Sequence, residues 1–593
     1  MILRYHRQNF KPLYLASVDV AKAFDCVTHN AIRDTLKTKG LPAPMIDYIA
    51  NVYERSVTRL ACGNWESDPI HPTCGVKQGD PLSPIIFNMI MDRLIRQIPP
   101  EVGVEIGGKH HNVFAFADDL IFVASTPTGL QQVLDLASTY LAKCGLNINA
   151  TKSFTIAIRN VPHVKKTVVD CGTTFTCSGQ KLPALRRPDE WKYLGVPFTP
   201  EGCSQGIEIE QLNTELSKLS RAPLKPQQRL FALRVMVLPS LYHLLTLGNT
   251  TLSRLKKIDR LVRRAVKGWL DLPHDVPSAY IHAKAKDGGL SIPSMRWQMP
   301  LMRLQRLKSY TNEVAVSPYL TQEMGRAQRR LREGTVDIDT TAKLEQRWAN
   351  LLHASVDGQA LKESSKVPQQ HQWITDGTRL LSGRDFINSV KLRINAMPTR
   401  SRTSRGRPKE RSCRAGCNAV ETLNHVLQQC HRTHRARIER HQAIVSYTTR
   451  ALSKIYDTVD EEPRFITTEG LRKPDIIARS GRAALLLDVQ VVSERADLEE
   501  AHKRKVEYYK PLEDAIRKRY NVQEVAFSSV TLSCRGIWSK TSAQNSTDRH
   551  IFRKTELKII SSRTLIGGLN SFWRFNRTTS ALRTNRTNRT GVG

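Results

Sequence analysis

The stretch Phe114-Ala115-Phe116-Ala117-Asp118-Asp119-Leu120-Ile121-Phe122-Val123 decides how this chain is read. Apolar residues flank a tight acidic turn, a pattern that predicts a β-hairpin with two carboxylates at its tip. A third carboxylate, Asp19, stands upstream in Ser17-Val18-Asp19-Val20-Ala21-Lys22-Ala23-Phe24-Asp25. An acidic pair in a turn is ordinarily a solvated hairpin tip. Aspartates converging from separate strands are instead the ligand set of a two-magnesium phosphoryl-transfer site, whose metals sit roughly 3.5–4 Å apart. Mg2+ takes hard oxygen ligands and keeps several waters, so two or three carboxylates suffice.

Three further stretches follow in order: Gly75-Val76-Lys77-Gln78-Gly79-Asp80-Pro81-Leu82-Ser83-Pro84, then Gly145-Leu146-Asn147-Ile148-Asn149-Ala150-Thr151-Lys152-Ser153, then Trp191-Lys192-Tyr193-Leu194-Gly195. Together with the acidic motifs they resemble the palm of reverse transcriptases. The resemblance implies that Asp19 and Asp118 bind both metals, with Asp119 a neighbour or weaker ligand. Asp25 is a further candidate ligand, although a positioning role fits its place better. Phe24 would be the aromatic gate that crowds a ribose 2′-hydroxyl; the alternative is an ordinary core Phe. Gly75 and Gly79 bracket Gln78, and glycine allows a loop to press its backbone against nucleotide and template. Asp80-Pro81 opens a helix, with proline near the first turn where it is tolerated. Lys152 could approach the departing pyrophosphate.

A length of 593 residues implies several domains, and 40% hydrophobic residues is enough for buried cores. The formal charge of +35 points to a polyanionic partner. No apolar run approaches the ~20 residues of a membrane span, and the N-terminus has no apolar region of a secretory signal. Eight of the 11 cysteines are scattered, which fits reduced thiols in a nuclear or cytosolic protein.

Residues 1–199 alternate short strands with helices, including Ala31–Lys39, Ala43–Tyr53 and Leu130–Gly145, an α/β pattern. Residues 200–330 turn helical, with segments at Ile207–Leu219, Gln227–Leu247 and Thr251–Leu270, and fit a polymerase thumb. Residues 331–411 read as a basic helical linker, 412–435 as a Cys/His knuckle, 436–560 as a second α/β region, and 561–593 as a basic, disordered tail.

In the knuckle, Cys413, Cys417, His425 and Cys430 offer three thiolates and one imidazole, a set suited to tetrahedral Zn2+. His434 is a reserve ligand, and His431 ranks below it. Four protein ligands close the site, so the zinc is expected to be structural.

The run from Arg472 through Pro474-Asp475 to Leu487-Asp488-Val489-Gln490 reads as two strands around a Ser-Gly turn. With Ser480 and Gly481 at its centre, Asp475 faces Leu486 and Asp488 lies diagonally along the partner strand, about 7–8 Å away. Asp488 interrupts an apolar run, where an unpaired carboxylate is costly. A helix is expected after it, with Asp497 as N-cap and Glu500 at N3. The pattern resembles a restriction-enzyme-like nuclease holding Mg2+ on Asp475 and Asp488. Gln490 stands where that family commonly has lysine. Lys505 on the following helix is the expected replacement, with Lys503 the alternate and Tyr509 a supporting residue.

Palm, thumb, Cys/His knuckle and nuclease together resemble the reverse transcriptase/endonuclease of non-LTR retrotransposons of the R-two clade. The expected architecture is multidomain, α/β and α: a right-hand polymerase palm with helical thumb, zinc knuckle and restriction-enzyme-like α/β endonuclease. The resemblance implies target-primed reverse transcription in the nucleus. Its partners would be an element RNA template, dNTPs and duplex target DNA in ribosomal RNA genes, with Mg2+ at both active sites and no membrane. Only eighteen residues precede Asp19, so the polymerase fingers are expected to be missing. A non-enzymatic nucleic-acid-binding fragment of a truncated element copy is the alternative.

Overall fold

Strand β1 (Leu13–Val18) lies at the centre of a five-stranded antiparallel sheet in this computed structural model. The structure describes residues 2–161, 163–204, 208–248, 250–309, 318–376, 380–468 and 470–587. The other strands are β2 (Val113–Phe116), β3 (Asp119–Ala124), β4 (Phe154–Asn160) and β5 (Thr167–Val169), in the order β5-β4-β1-β3-β2. Alternation sorts the side chains. Tyr14, Ala16, Val18, Leu120 and Phe122 bury against helices α1 (Leu82–Gln97) and α2 (Pro127–Lys143). Leu13, Leu15, Ile121, Val123, Ile156 and Ile158 form the opposite face. That face is covered by Ile2 and Leu3 and by the hairpin of β6 (Trp191–Tyr193) and β7 (Val196–Thr199). Ala43–Glu54 and α2 are helical as expected, and His29–Thr38 begins at the cap Thr28, whose Oγ1 accepts from Ala31 N.

This sheet belongs to a first compact unit: residues 1–206, 243–250 and 302–329. The second comprises residues 207–242, 251–301 and 330–593. The span 200–330, expected as one domain, is therefore divided between them. In the second unit, α3 (Glu208–Arg221) and α5 (Leu252–Trp269) pack with the first half of α4 (Pro226–Leu247). Contrary to expectation, α4 is long and apolar enough to cross a membrane by length and composition. Its first half buries one face through Gln227, Leu230, Leu233 and Val237, with Gln227 Nε2 donating to Leu381 O (3.0 Å), and leaves Phe231, Val235 and Met236 exposed.

A mixed four-stranded sheet anchors the rest of this unit, in the order β8 (Thr458–Glu461), β9 (Ile476–Ser480), β10 (Ala483–Val492), β11 (Glu524–Ser533). The β10–β11 pair is parallel, and the chain crosses between them through α8 (Leu498–Tyr509). Before the sheet come α6 (Leu423–Gln428) and α7 (His434–Leu452). Ile476, Leu485 and Leu487 bury with Ile444 and Val445 of α7 and with Trp538. On the other face, Ile477 and Leu486 bury with Tyr509, Leu512 and Ile516.

Two expectations are corrected here. Residues 561–580 are not a disordered tail, because α9 (Leu557–Thr587) buries Ile560, Leu565, Leu569, Phe572 and Phe575. Its Arg, Asn and Thr side chains masked the apolar spacing. Residues 588–593 lie outside the described residues. The β9–β10 turn is centred on Gly481-Arg482, since Ser480 pairs with Ala483. Gly481 has a φ of 57°, at the first central position of a two-residue loop, where glycine is favoured. Ile476 pairs with Leu487, so Asp475 comes directly opposite Asp488 rather than facing Leu486.

Candidate active sites

The first site stands at one end of the five-stranded sheet. Phe116 pairs with Asp119, leaving Ala117-Asp118 as the two-residue tip of the β2–β3 hairpin. Ala117 takes a left-handed φ of 55°, uncommon for a residue with a Cβ. Val18 pairs with Leu120, which brings Asp19 up beside Asp119. The three expected carboxylates therefore converge. Asp119 is exposed, but partial desolvation against the protein raises its pKa above the ordinary range, and the charges of Asp118 and then Asp19 add to this. Three mutually repelling acids at one sheet end suit a divalent cation.

The surrounding loops are pinned to the Asp19 segment. Asp19 N donates to Ser153 Oγ (3.0 Å), and Asn149 N donates to Asp19 O (2.8 Å). Lys152 is thereby held in the adjoining turn, with an exposed side chain. Gly75 N donates to Val27 O and Val76 N to Phe24 O, both at 2.7 Å. A Cβ on Gly75, whose φ is 91°, would lie 2.8 Å from Asp25 O, so only glycine allows this approach. Gly79 has the same φ but open space around it. Gln78 Nε2 donates to Asp25 Oδ1 (3.0 Å), tying the two motifs together. Phe24 is half-buried and stacks on Phe87 at 4.5 Å between ring centres. Leu194 and Gly195 form the β6–β7 turn, both with positive φ. Burial raises the Tyr193 pKa, and the Asp119 charge raises it further, which places this hairpin beside the acids.

The Cys/His group assembles as its spacing suggests. One ligand atom from each of Cys413, Cys417, His425 and Cys430 lies within 4.8 Å of all the others. Gly416, at a φ of 81°, turns the chain between the first two. His425 sits on α6, where Thr422 Oγ1 accepts from His425 N (3.0 Å). Both ring nitrogens of buried His425 lack a hydrogen-bond partner of ordinary geometry. Burial raises the Cys413 thiol and pushes Cys430 up to about 12. An orphaned imidazole gathered with three thiols fits a tetrahedral metal, whose binding would displace the thiol protons. The reserve order is reversed: His431 Nδ1 lies 3.3 Å from Cys417 Sγ, whereas His434 Nδ1 faces Arg437.

The third site lies on β9 and β10. Asp475 Oδ2 accepts from Val489 N at 2.7 Å. Asp488 is almost fully buried, and desolvation and then Asp475 raise its pKa against the opposing effects of Lys505 and Tyr509. Lys505 Nζ stands 2.9 Å from Asp488 Oδ2, an ion pair that lacks hydrogen-bond alignment. It also lies over the Tyr509 ring, 5.4 Å from its centre. Lys503 points elsewhere, 3.9 Å from Glu507. The expected cap is present: Asp497 Oδ1 accepts from Glu499 N and Glu500 N.

Sequence reading missed His441 on α7. Its Nε2 lies 3.1 Å from Asp475 Oδ2 and 3.0 Å from Val489 O. Both partners are acceptors, so Nε2 carries the proton. Burial opposes charge on this ring, but Asp475 outweighs it and the pKa is raised. A histidine in an Arg-rich helix, far from Asp475 along the chain, carries no local signal of this role.

Residues 3–198 match the family model for "Reverse transcriptase (RNA-dependent DNA polymerase)". Over 585 residues the chain is 42% identical to "Retrovirus-related Pol polyprotein from type-2 retrotransposable element R2DM" of Drosophila melanogaster, covering 97% of this chain and 55% of that protein. It is 34% identical over 585 residues to the Pol polyprotein of a type-1 retrotransposable element R2 of Bradysia coprophila, covering 96% and 67%. A third, from Popillia japonica, is 34% identical over 434 residues, covering 72% and 89%. The chain spans about half the length of the Drosophila relative. With the carboxylates of a reverse transcriptase domain assembled on its first sheet and kinship running through almost its whole length, the chain belongs to the Pol polyproteins of R2 retrotransposable elements.

Proposed function

We propose that this chain makes DNA on an RNA template and nicks the duplex DNA that supplies the primer. The supporting observation is the presence of two separate carboxylate clusters, Asp19/Asp118/Asp119 and Asp475/Asp488, each on its own sheet. Each would hold Mg2+, which when bound stabilises the attacking and leaving oxygens of phosphoryl transfer.

At the first cluster, the loop Gly75–Gly79 offers close backbone approach to the incoming dNTP and template, with Gln78 steadied by Asp25. Phe24, backed by Phe87, limits room at the sugar and so disfavours a ribose 2′-hydroxyl. Lys152 offers a cation to the pyrophosphate. At the second cluster, Lys505 orients the attacking water or stabilises charge on the phosphate. Tyr509 supports the Lys505 ammonium through its ring. The Cys/His knuckle would bind Zn2+ as a structural clip, since four protein ligands leave no open position. The same reading gives ribosomal RNA genes as the target and the nucleus as the place of action.

The test separates the two sites. Asp118→Ala should abolish DNA synthesis from an annealed primer while leaving plasmid nicking intact. Asp475→Ala should do the reverse. Loss of both activities in both folded variants would contradict two independent sites. Wild-type chain that binds nucleic acid but performs neither reaction would favour a non-enzymatic role.

A further inference from the structure

A basic cleft of about 980 Å3 lies at the other end of the first sheet. Its walls carry Arg4, Arg7, Lys165, Lys166 and Arg187, with Glu201 as the acid among them. The arginines are engaged: Arg4 Nη1 pairs with Glu323 Oε1 (2.9 Å), and Arg187 and Arg7 both hold Glu201, so the charge the cleft offers a ligand comes chiefly from Lys165 and Lys166. Arg187 Nε pairs with Glu201 Oε1 at 2.5 Å, and Arg7 Nη1 donates to Glu201 O at 3.0 Å. Lys165 and Lys166 are exposed in the loop between β4 and β5.

The register locates this cleft. Leu13 pairs with Ile158, which pairs in turn with Val169, so the β4–β5 loop extends beyond the Leu13 end of β1. Asp19 follows the opposite end of the same strand. At a rise of roughly 3.3 Å per residue, β1 separates the two by about 20 Å. Lysines at that distance cannot serve the triphosphate or the primer terminus. Phe10 also lines the cleft, held at a left-handed φ of 52°. This is the left-handed turn that ends the helix Ile2–Gln8, where Lys11 N donates back to His6 O (2.9 Å). Cations beside an aromatic ring are the elements of a single-strand platform, where the groove follows the backbone and the ring stacks an unpaired base.

We propose that this cleft binds the phosphodiester backbone of a single-stranded polynucleotide, separately from the polymerase site. Such a site would hold template or displaced strand on the protein while its end is worked on elsewhere.

The experiment uses the full zinc-loaded chain without added Mg2+ or chelator, with mixed-sequence single strands of about 16 nucleotides, the upper end of common single-strand site sizes. RNA and DNA strands are tested against a duplex of equal length. Lysine acetylation is mapped by mass spectrometry. Single strands should slow modification of Lys165 and Lys166 several-fold, and the duplex should not. The Lys165→Glu/Lys166→Glu variant should bind single strands about tenfold more weakly, with a salt slope lower by roughly 1.4 for two lost phosphate contacts. Its activity on a pre-annealed primer–template should match wild type, which also reports that it is folded. Protection by both RNA and DNA supports backbone recognition, and protection by RNA alone supports it with the 2′-hydroxyl taking part. Absence of protection, equal protection by the duplex, or an unchanged salt slope would overturn the proposal. The binding readout needs neither Mg2+ nor synthesis, so it stands or falls apart from the polymerase reading.

Discussion

Lys505 on α8 reaches across to Asp488 on β10 and sets its ammonium 2.9 Å from the buried carboxylate. Gln490, on the same strand as Asp488, stands where the nuclease pattern commonly has lysine. Its Nε2 donates to Ala501 O (2.9 Å) and Thr531 Oγ1 (2.8 Å), bracing α8 against β10 and β11. The cation thus comes from the helix that this glutamine holds.

Lys505→Gln should lower single-turnover nicking by about 10²–10³-fold, the usual range for losing one preorganised donor. Lys503→Gln should leave nicking unchanged, because that side chain is 76% exposed. Equal losses in the two variants would show that the 2.9 Å pair with Asp488 does not select the working lysine.

His441 should act as a positioning residue for Asp475. Its Nε2–H holds the carboxylate from one side while Val489 N holds the same oxygen from the other. His441→Phe removes that donor while keeping a ring. Nicking should then need about 10–100-fold more Mg2+ for half-maximal rate, as for other lost partners of metal ligands. DNA synthesis by the same variant should be untouched. An unchanged Mg2+ titration would remove His441 from the site.

Zinc uptake should depend on pH in a definite direction. Cys430 is pushed up to about 12 by burial and neighbouring thiols, so binding must displace protons. Apparent affinity should therefore rise with pH, and protons should be released on loading the chelator-stripped chain. Cys430→Ser should retain less zinc and unfold at a lower temperature than wild type. Affinity that is flat between pH 6 and 8 would argue against thiolate ligation.

Acid should destabilise the second unit through two buried histidines. His282 is buried, with Nδ1 donating to Ile292 O (2.9 Å) and Nε2 facing Arg263. Burial lowers its pKa to about 4. Buried His371 is built alike, with Nδ1 accepting from Arg393 Nη2 (2.6 Å) and a pKa held well below the ordinary value, chiefly by burial. The unfolded chain protonates these rings near pH 6.5 and the folded chain does not. Stability is therefore full above that pH and lost as it falls toward 4, by about 3 kcal/mol for His282 alone. Denaturant midpoints measured between pH 7 and 4 should show this slope, and His282→Gln should flatten it.

Local pattern made much of the first site legible. The acidic tip between apolar runs and the Asp-Pro helix start each depend on neighbours a few residues apart, as does the Asp497 cap of the helix that carries Lys505. The four Cys/His ligands were legible for the same reason, since their spacing is short and their chemistry distinctive. The turn centre at Gly481-Arg482 was misplaced by one residue, because Ser-Gly and Gly-Arg are both acceptable turn pairs. Only strand pairing chose between them, and that choice put Asp475 opposite Asp488.

The sequence by itself determined which carboxylates, thiols and glycines were available, and the order in which strands and helices present them. Tertiary structure alone decided which groups meet. It brought Lys505 to Asp488, turned His441 onto Asp475, buried the apolar face of α9, and gathered Arg4, Arg7, Lys165, Lys166 and Arg187 around one cleft. The physical reason is range. Periodicity and capping act within a few residues, whereas these encounters join distant segments whose meeting is set by how sheets and helices pack.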